Sequence, residues 1–126
     1  MTMTPRMSFD VEPERDLVRI TLAGFFTPDD VARFVAARDA AHRRLRCAAN
    51  AHSTLVDMRA MEIQAQETVA AFQQVLSDPR TRSRRLAFVV ARSLARMQIR
   101  RAADARDAAY FTTNEEAEAW VTAKPA

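Results

Sequence analysis

The stretch Leu86–Val90 constrains the fold of this chain more than any other segment. Its five residues, Leu-Ala-Phe-Val-Val, are all apolar, and two of them are β-branched. Arginines bound the run closely on both sides, at Arg84, Arg85 and Arg92. A short apolar run of this kind is typical of a strand that is buried on both faces within a parallel sheet. Helices must cover both faces of such a sheet, so the rest of the chain has to supply them.

Strand and helix signals alternate along the rest of the chain. Strands are predicted at Met7–Val11, Leu17–Ala23, Ser53–Met58, Leu86–Val90 and Ala108–Thr112. Helices are predicted from Thr27 to about Leu45, from Gln66 to Leu76, from Ser93 onward and over Asn114–Val121. The order β-β-α-β-α-β-α-β-α predicts an α/β fold, with a single mixed, mostly parallel five-stranded sheet and about four helices. We expect one domain over residues 1–126, with a core at about 7–121, an edge hairpin and flexible termini.

Two helix starts carry clear capping signals. Thr27 precedes Pro28 and two acids, which suits an N-cap, a proline at the first helical position and the positive end of the helix dipole. Thr113 is followed three residues later by Glu116, the pattern of a capping box. In the second helix the apolar spacing predicts an inward face formed by Val69, Phe72, Val75 and Leu76.

Residue usage argues against several classes of function. Gly24 is the single glycine, so a glycine-rich phosphate loop is not expected, and no Gly-x-Ser-x-Gly elbow occurs. The single cysteine, Cys47, and the isolated His42 and His52 are interpreted as a small apolar residue and as surface histidines. No catalytic residue, metal site or cofactor is predicted, and we do not expect an enzyme. Without an export signal, a disulfide or an apolar run of about 18 residues, a cytoplasmic protein without a membrane span is expected.

The charge of the chain is unevenly distributed. Arg80–Arg106 contains nine arginines and one acid, whereas Asp107–Glu118 contains four acids and no base. The basic stretch is interpreted as a solvated helix face and a basic loop, or as a surface that binds an acidic protein. Nucleic acid is not expected as a partner, because modules that bind it usually combine basic residues with several exposed aromatic side chains or a recognition helix. Here Phe88 is predicted to be buried, which leaves Tyr110 as a single aromatic residue.

The end of the third strand is the best candidate for a site. Asp57 ends that strand at the edge where open α/β sheets bind ligands, and it either anchors a partner or caps the backbone of the following loop. Met58, Met61 and Ile63 follow as an apolar series. They form either an adaptable contact surface in an exposed loop or a cover that folds down over the sheet.

These elements resemble, in order and spacing, the STAS-like or SpoIIAA-like family of sulfate-transporter and anti-sigma-factor-antagonist domains. The resemblance spans about Met7 to Val121. It is carried by four segments, namely Val18–Phe25 with Thr27–Asp30, Leu55–Arg59, Leu86–Val90 and Phe111–Val121. Members of that family that antagonise anti-sigma factors carry a phosphorylatable serine, within Asp-Ser-Ser-Gly, where this chain has Ala65-Gln66-Glu67-Thr68. The resemblance therefore implies a small non-enzymatic binding domain without that serine switch.

On this basis we predict a cytoplasmic interaction domain that binds a protein partner at the strand edge. The predicted contact residues are Asp57, Met58, Arg59, Met61, Ile63, Gln66, Glu67, Arg92, Ser93 and Arg96. The alternative is a small anionic or lipid-like ligand, held at the helix starts near Gln66 and Ser93 by Arg92 and Arg96. Self-association as a homodimer is a further expectation, without an assigned interface.

Overall fold

A computed structural model describes residues 4–76, 78–92 and 108–123 of the chain. The strands are β1 (Arg6–Glu12), β2 (Leu17–Gly24), β3 (Ser53–Met61), β4 (Arg85–Val89) and β5 (Ala108–Phe111). The helices are α1 (Pro28–His42), α2 (Gln66–Leu76) and α3 (Asn114–Val121). A short 3₁₀ turn, Pro13–Arg15, joins β1 to β2. The predicted helix that begins at Ser93 lies outside the described residues.

The five strands form one sheet in the order β1-β2-β3-β4-β5. β1 runs antiparallel to β2, and the other neighbouring pairs are parallel. Phe88 of β4 is paired with Val56 on one side and Tyr110 on the other, and it is buried. The prediction of an interior parallel strand at this segment, and of a mostly parallel α/β sheet with an edge hairpin, is confirmed.

Apolar side chains cover both faces of the sheet, because the strands place alternate residues on opposite sides. One face carries a cluster that includes Val18, Ile20, Val56 and Phe88 and packs against Phe34 of α1. The opposite face carries Leu17, Leu55, Ala87 and Val89, which pack against α3 through Ala117 and Val121. Helices therefore lie on both sides, as the composition of β4 requires.

Both capped helix starts form as predicted. The Thr27 hydroxyl accepts a hydrogen bond from the Asp30 amide at 3.3 Å, and the Asp30 carboxylate accepts one from the Thr27 amide at 2.8 Å. Thr113 accepts from the Glu116 amide at 3.2 Å and donates to the Glu116 carboxylate at 3.0 Å. Local side-chain chemistry thus sets where α1 and α3 begin.

Three local predictions were wrong. β3 continues to Met61 instead of ending at Met58, so Arg59 and Met61 lie in a strand and not in a loop. Val69 and Leu76 are more than a third exposed, and the buried residue of α2 is Thr68. His52 is not a surface histidine, since it is only 3% exposed.

Candidate functional site

A β-bulge shapes the end of β3. The pairing with β2 shifts between Thr21, which faces Asp57, and Ala23, which faces Ala60. One extra residue in β3 brings Met58 and Met61, three positions apart, onto the same face. Both are half-buried and pack against the cluster beneath α1 and α2. Of the two interpretations of this apolar series, the cover over the sheet therefore fits the two methionines.

Ile63 behaves differently, because its side chain is 85% exposed. The chain around it is held firmly to the end of β2. Gln64 accepts a hydrogen bond from the Phe26 amide at 2.8 Å and donates to the Gly24 carbonyl at 3.0 Å. The Glu62 amide also donates to Gly24, at 3.0 Å. The exposed Ile63 is thus presented on a connection that is anchored on both sides.

Asp57 is engaged by groups of its own chain. Its carboxylate accepts hydrogen bonds from the Arg59 guanidinium at 2.7 and 3.0 Å and from the Arg59 amide at 3.2 Å. The pKa of Asp57 is lowered chiefly by the Arg59 side chain, with a smaller contribution from a hydrogen bond to Asn114 at the start of α3. The contact with the Arg59 amide fits the capping interpretation of Asp57, and the hydrogen bond with Asn114 ties the end of β3 to α3.

Gln66, Glu67 and Arg92 are exposed, as contact residues would be. Ser93 and Arg96 lie outside the described residues. The structure brings Gln66 and Glu67 together with Val69 in one shallow open depression on α2. A contact role for the ten predicted residues remains a prediction.

Thr68 is the hydroxyl residue closest in sequence to the position of the family's serine. Its side chain is 1% exposed, and its hydroxyl donates to the Phe26 carbonyl at 3.0 Å. A hydroxyl that is buried and bound in this way is not presented to a kinase in the folded protein. Thr68 acts here as a structural link between α2 and the end of β2.

Comparison with solved structures identifies the fold. An uncharacterised protein of the DUF3478 family with a SpoIIAA-like fold, from Shewanella loihica, superposes with a TM-score of 0.74. It is 13% identical, and the match covers 96% of this chain and 98% of that one. The chain has a SpoIIAA-like fold.

A second similar structure is an anti-sigma factor antagonist from Mycobacterium paratuberculosis, with a TM-score of 0.59 and 13% identity. That match covers 92% of this chain and 94% of the antagonist. No protein-family model and no curated protein matches the sequence. The resemblance to the SpoIIAA-like fold that the sequence indicates is thus confirmed through structure, at an identity that shows the fold and nothing finer.

Sequence reasoning missed a polar cluster at the opposite end of β3 in this SpoIIAA-like fold. The His52 ring lies 4.4 Å from the His42 ring, and His52 Nε2 lies 3.2 Å from the Ser83 hydroxyl. Ser83 in turn lies 2.6 Å from the Thr54 hydroxyl. Burial lowers the pKa of His52 to about 4, so its imidazole is neutral near pH 7. The signal in the sequence was the alternation of His52, just before β3, with Thr54 and Val56 on one face of that strand.

Among the helices within residues 4–76, 78–92 and 108–123, none combines the length and the apolarity that a membrane crossing requires. The same ranges hold no group of three or more histidine, cysteine or acidic side chains placed to bind a metal ion.

Proposed function

We propose that this SpoIIAA-like chain is a regulatory protein-interaction domain, which binds a partner protein through the exposed apolar residues Ile63, Val69 and Leu76, here called the α2 surface. The proposal rests on the solvent exposure of these side chains. Among the described residues they are the large apolar ones that are exposed, at 85%, 37% and 38%. Exposed apolar side chains that gather in one region are typical of interaction sites.

The geometry of α2 supports a single surface. Val69 and Leu76 are seven residues apart in a regular helix and therefore lie on the same side of it. The depression beside Val69 is lined by Gln66 and Glu67, two of the predicted contact residues. The anchored connection presents Ile63 just before the helix begins.

The charge of this region indicates the chemistry of the partner. Residues 62–76 contain two acids, Glu62 and Glu67, and no basic residue. A partner with an apolar centre and a basic rim would complement such a surface, since charge at the rim steers association while the apolar centre provides most of the affinity.

The similarity to an anti-sigma factor antagonist supports a regulatory role. The proposal includes a cytoplasmic location, action by binding and not by catalysis, and control by something other than phosphorylation of a serine at the start of α2. The sequence 65–68 offers only Thr68 as a hydroxyl, and that hydroxyl is buried.

The experiment begins with affinity capture from the source cells and identification of the captured protein. The purified partner is then titrated against wild type, Ile63→Asp and Val69→Asp by calorimetry. We expect each variant to weaken binding by about tenfold or more, because a buried apolar contact is replaced by a charge.

Ala36→Asp provides the matched control, since Ala36 is an exposed residue of α1 and is not part of the α2 surface. It should leave the affinity unchanged. Equal affinity of all four proteins would refute the assignment of the surface. Light scattering on the wild type and on Val69→Asp adds a further test, because a dimer lost on substitution would assign the surface to self-association instead.

A further inference from the structure

A cavity of about 800 Å³ lies between α1, α2 and the sheet. It adjoins the α2 surface, because Leu76 belongs to both and Gln73 lines both the cavity and the depression beside Val69. Its size falls within the range of about 300–1,000 Å³ that is usual for small-molecule sites.

The floor of the cavity is apolar. It is formed by Ile20, Val56 and Phe88 from the three central strands and by Tyr110 from β5. Phe88 and Tyr110 are stacked, with ring centroids 5.0 Å apart. Phe34 of α1 also lines the cavity. A hydrocarbon or aromatic body would therefore find apolar contacts over most of this surface.

The cavity lining also contains polar residues. Arg38 and His42, one turn apart on α1, line it together with the hydroxyl residues Thr54 and Ser83. The Arg38 side chain is only 12% exposed. Burial is the main cause of the lowered pKa of His42, and the positive charge of Arg38 is a second cause. None of the described lining residues is an acid.

The Arg38 guanidinium has more N–H donors than its contact with Asp39 uses. Its Nε and Nη2 both donate to the same oxygen of Asp39, at 3.3 and 3.1 Å. Within the described part of the chain this leaves Nη1 available to an incoming group. A partly buried guanidinium binds a carboxylate more strongly than an exposed one, because water competes less at such a position.

We propose that this cavity binds a small amphipathic carboxylate, with its apolar body on the Ile20–Val56–Phe88 floor and its carboxylate at Arg38. This proposal does not depend on the protein-binding function proposed above, and the two are tested by separate experiments. It also differs from the ligand site predicted from sequence, which was placed at the opposite edge of the sheet.

Three probes with the same hydrocarbon chain test the proposal, namely octanoate, octanol and octylamine. At about pH 7.5 octanoate is ionised, and we expect it to raise the melting temperature of the full chain by about 3 °C or more when it is tenfold above its dissociation constant. Octanol should act more weakly, and octylamine should have no effect. Equal shifts from all three probes, or none from octanoate, would overturn the proposal.

Methyl NMR on the wild type locates the probe without any substitution. Octanoate should shift the methyl signals of Ile20 and Val56, which line the cavity, and leave those of Leu17 and Val121, on the other face of the sheet, in place. Shifts confined to Leu17 and Val121 would refute the location.

Arg38→Gln keeps much of the side chain and removes the charge, so it should weaken octanoate binding by about tenfold or more while octanol binding stays unchanged. Arg44→Gln removes the same charge from an exposed position just beyond α1 and should have no effect. Unaltered octanoate affinity in Arg38→Gln would show that Arg38 does not bind the carboxylate.

Discussion

The imidazole rings of His42 and His52 are in contact, with their centroids 4.4 Å apart, between the last residue of α1 and the residue that precedes β3. Burial is the main reason why the pKa of both rings is lowered, that of His52 to about 4. Repulsion between the two rings and from Arg38 acts in the same direction on His52. Burial at this end of the sheet therefore disfavours the charged form of both imidazoles.

Acid should destabilise the protein through His52. The unfolded chain takes up a proton on this residue near its ordinary pKa of 6.5, whereas the folded chain does so only near about 4. The free energy of unfolding should therefore fall by roughly 2 kcal/mol as the pH drops from about 6.5 to about 4.5. Urea unfolding across this range, with an NMR titration of His52, measures both quantities.

The variant His52→Gln provides the comparison. It should show a smaller dependence on pH over the same range, since His52 no longer titrates and, of the two histidines, only His42, whose pKa is also lowered, still does. Asp30 and Asp57, whose pKa values are lowered, contribute mainly at more acidic pH, because their ordinary value is 3.8. Glu12 and Glu118, whose pKa values are also lowered, begin to contribute near their ordinary value of 4.5. A wild-type free energy of unfolding that stays constant between about pH 6.5 and 4.5 would contradict the prediction.

Replacement of Thr68 by valine should destabilise the fold by about 1–2 kcal/mol. The substitution keeps the shape of the side chain but removes the hydroxyl that donates to the buried Phe26 carbonyl at 3.0 Å. An unsatisfied buried carbonyl costs about this amount. Chemical denaturation measures it, with Thr21→Val as the control, because Thr21 is exposed on β2 and should change stability little. Equal stability of the two variants would show that this hydrogen bond is unimportant.

The neighbouring residues Phe25 and Phe26 should differ sharply in their tolerance of substitution. Phe26 is fully buried and its ring packs on Phe72 at 5.8 Å, whereas Phe25 is only partly buried. Phe26→Ala should cost about 3–5 kcal/mol through lost burial and a residual cavity, and Phe25→Ala should cost less than half of that. Thermal and urea unfolding of the two variants compare them directly. A larger loss of stability in Phe25→Ala than in Phe26→Ala would mean that Phe25, and not Phe26, is the buried residue of the two.

Neutralising Glu118 should have a small effect that depends on salt. Glu118 of α3 lies 2.6 Å from Arg19 of β2 and 2.8 Å from Arg15, and Glu12 also pairs with Arg19. The Glu118 side chain is 35% exposed, so solvent screens these pairs. Glu118→Gln should lower the free energy of unfolding by less than about 1 kcal/mol at low salt, and by less still at high salt. A loss of several kcal/mol that is unaffected by salt would indicate a structural role beyond charge.

The sequence could predict the features that depend on neighbouring residues. The apolar composition of Leu86–Val90 indicated a buried parallel strand, and Thr27 and Thr113 marked the starts of α1 and α3. In each case the physical cause lies within a few residues, in the hydrogen bonds of a cap or in the absence of any polar face. The family resemblance, carried by the order of these elements, therefore led to the correct fold.

The surface of α2 could not be predicted in the same way. Val69, Phe72, Val75 and Leu76 have the spacing of an apolar face, but Thr68, Phe72 and Val75 have a helical spacing as well. The structure buries Thr68 because its hydroxyl finds the Phe26 carbonyl, a partner 42 residues away. This turns Val69 and Leu76 outward and creates the surface on which the proposed function depends.

By itself, the sequence determined the order of the strands and helices, the helix caps and the burial of the Phe88 strand, because those follow from local hydrogen bonding and from the need to remove apolar runs from water. Only the tertiary structure decided the bulge that places Met58 and Met61 on one face, the burial of His52 beside His42 and the cavity next to Arg38. Each of these depends on which residues distant in the chain come into contact, and local patterns of polarity do not specify those contacts.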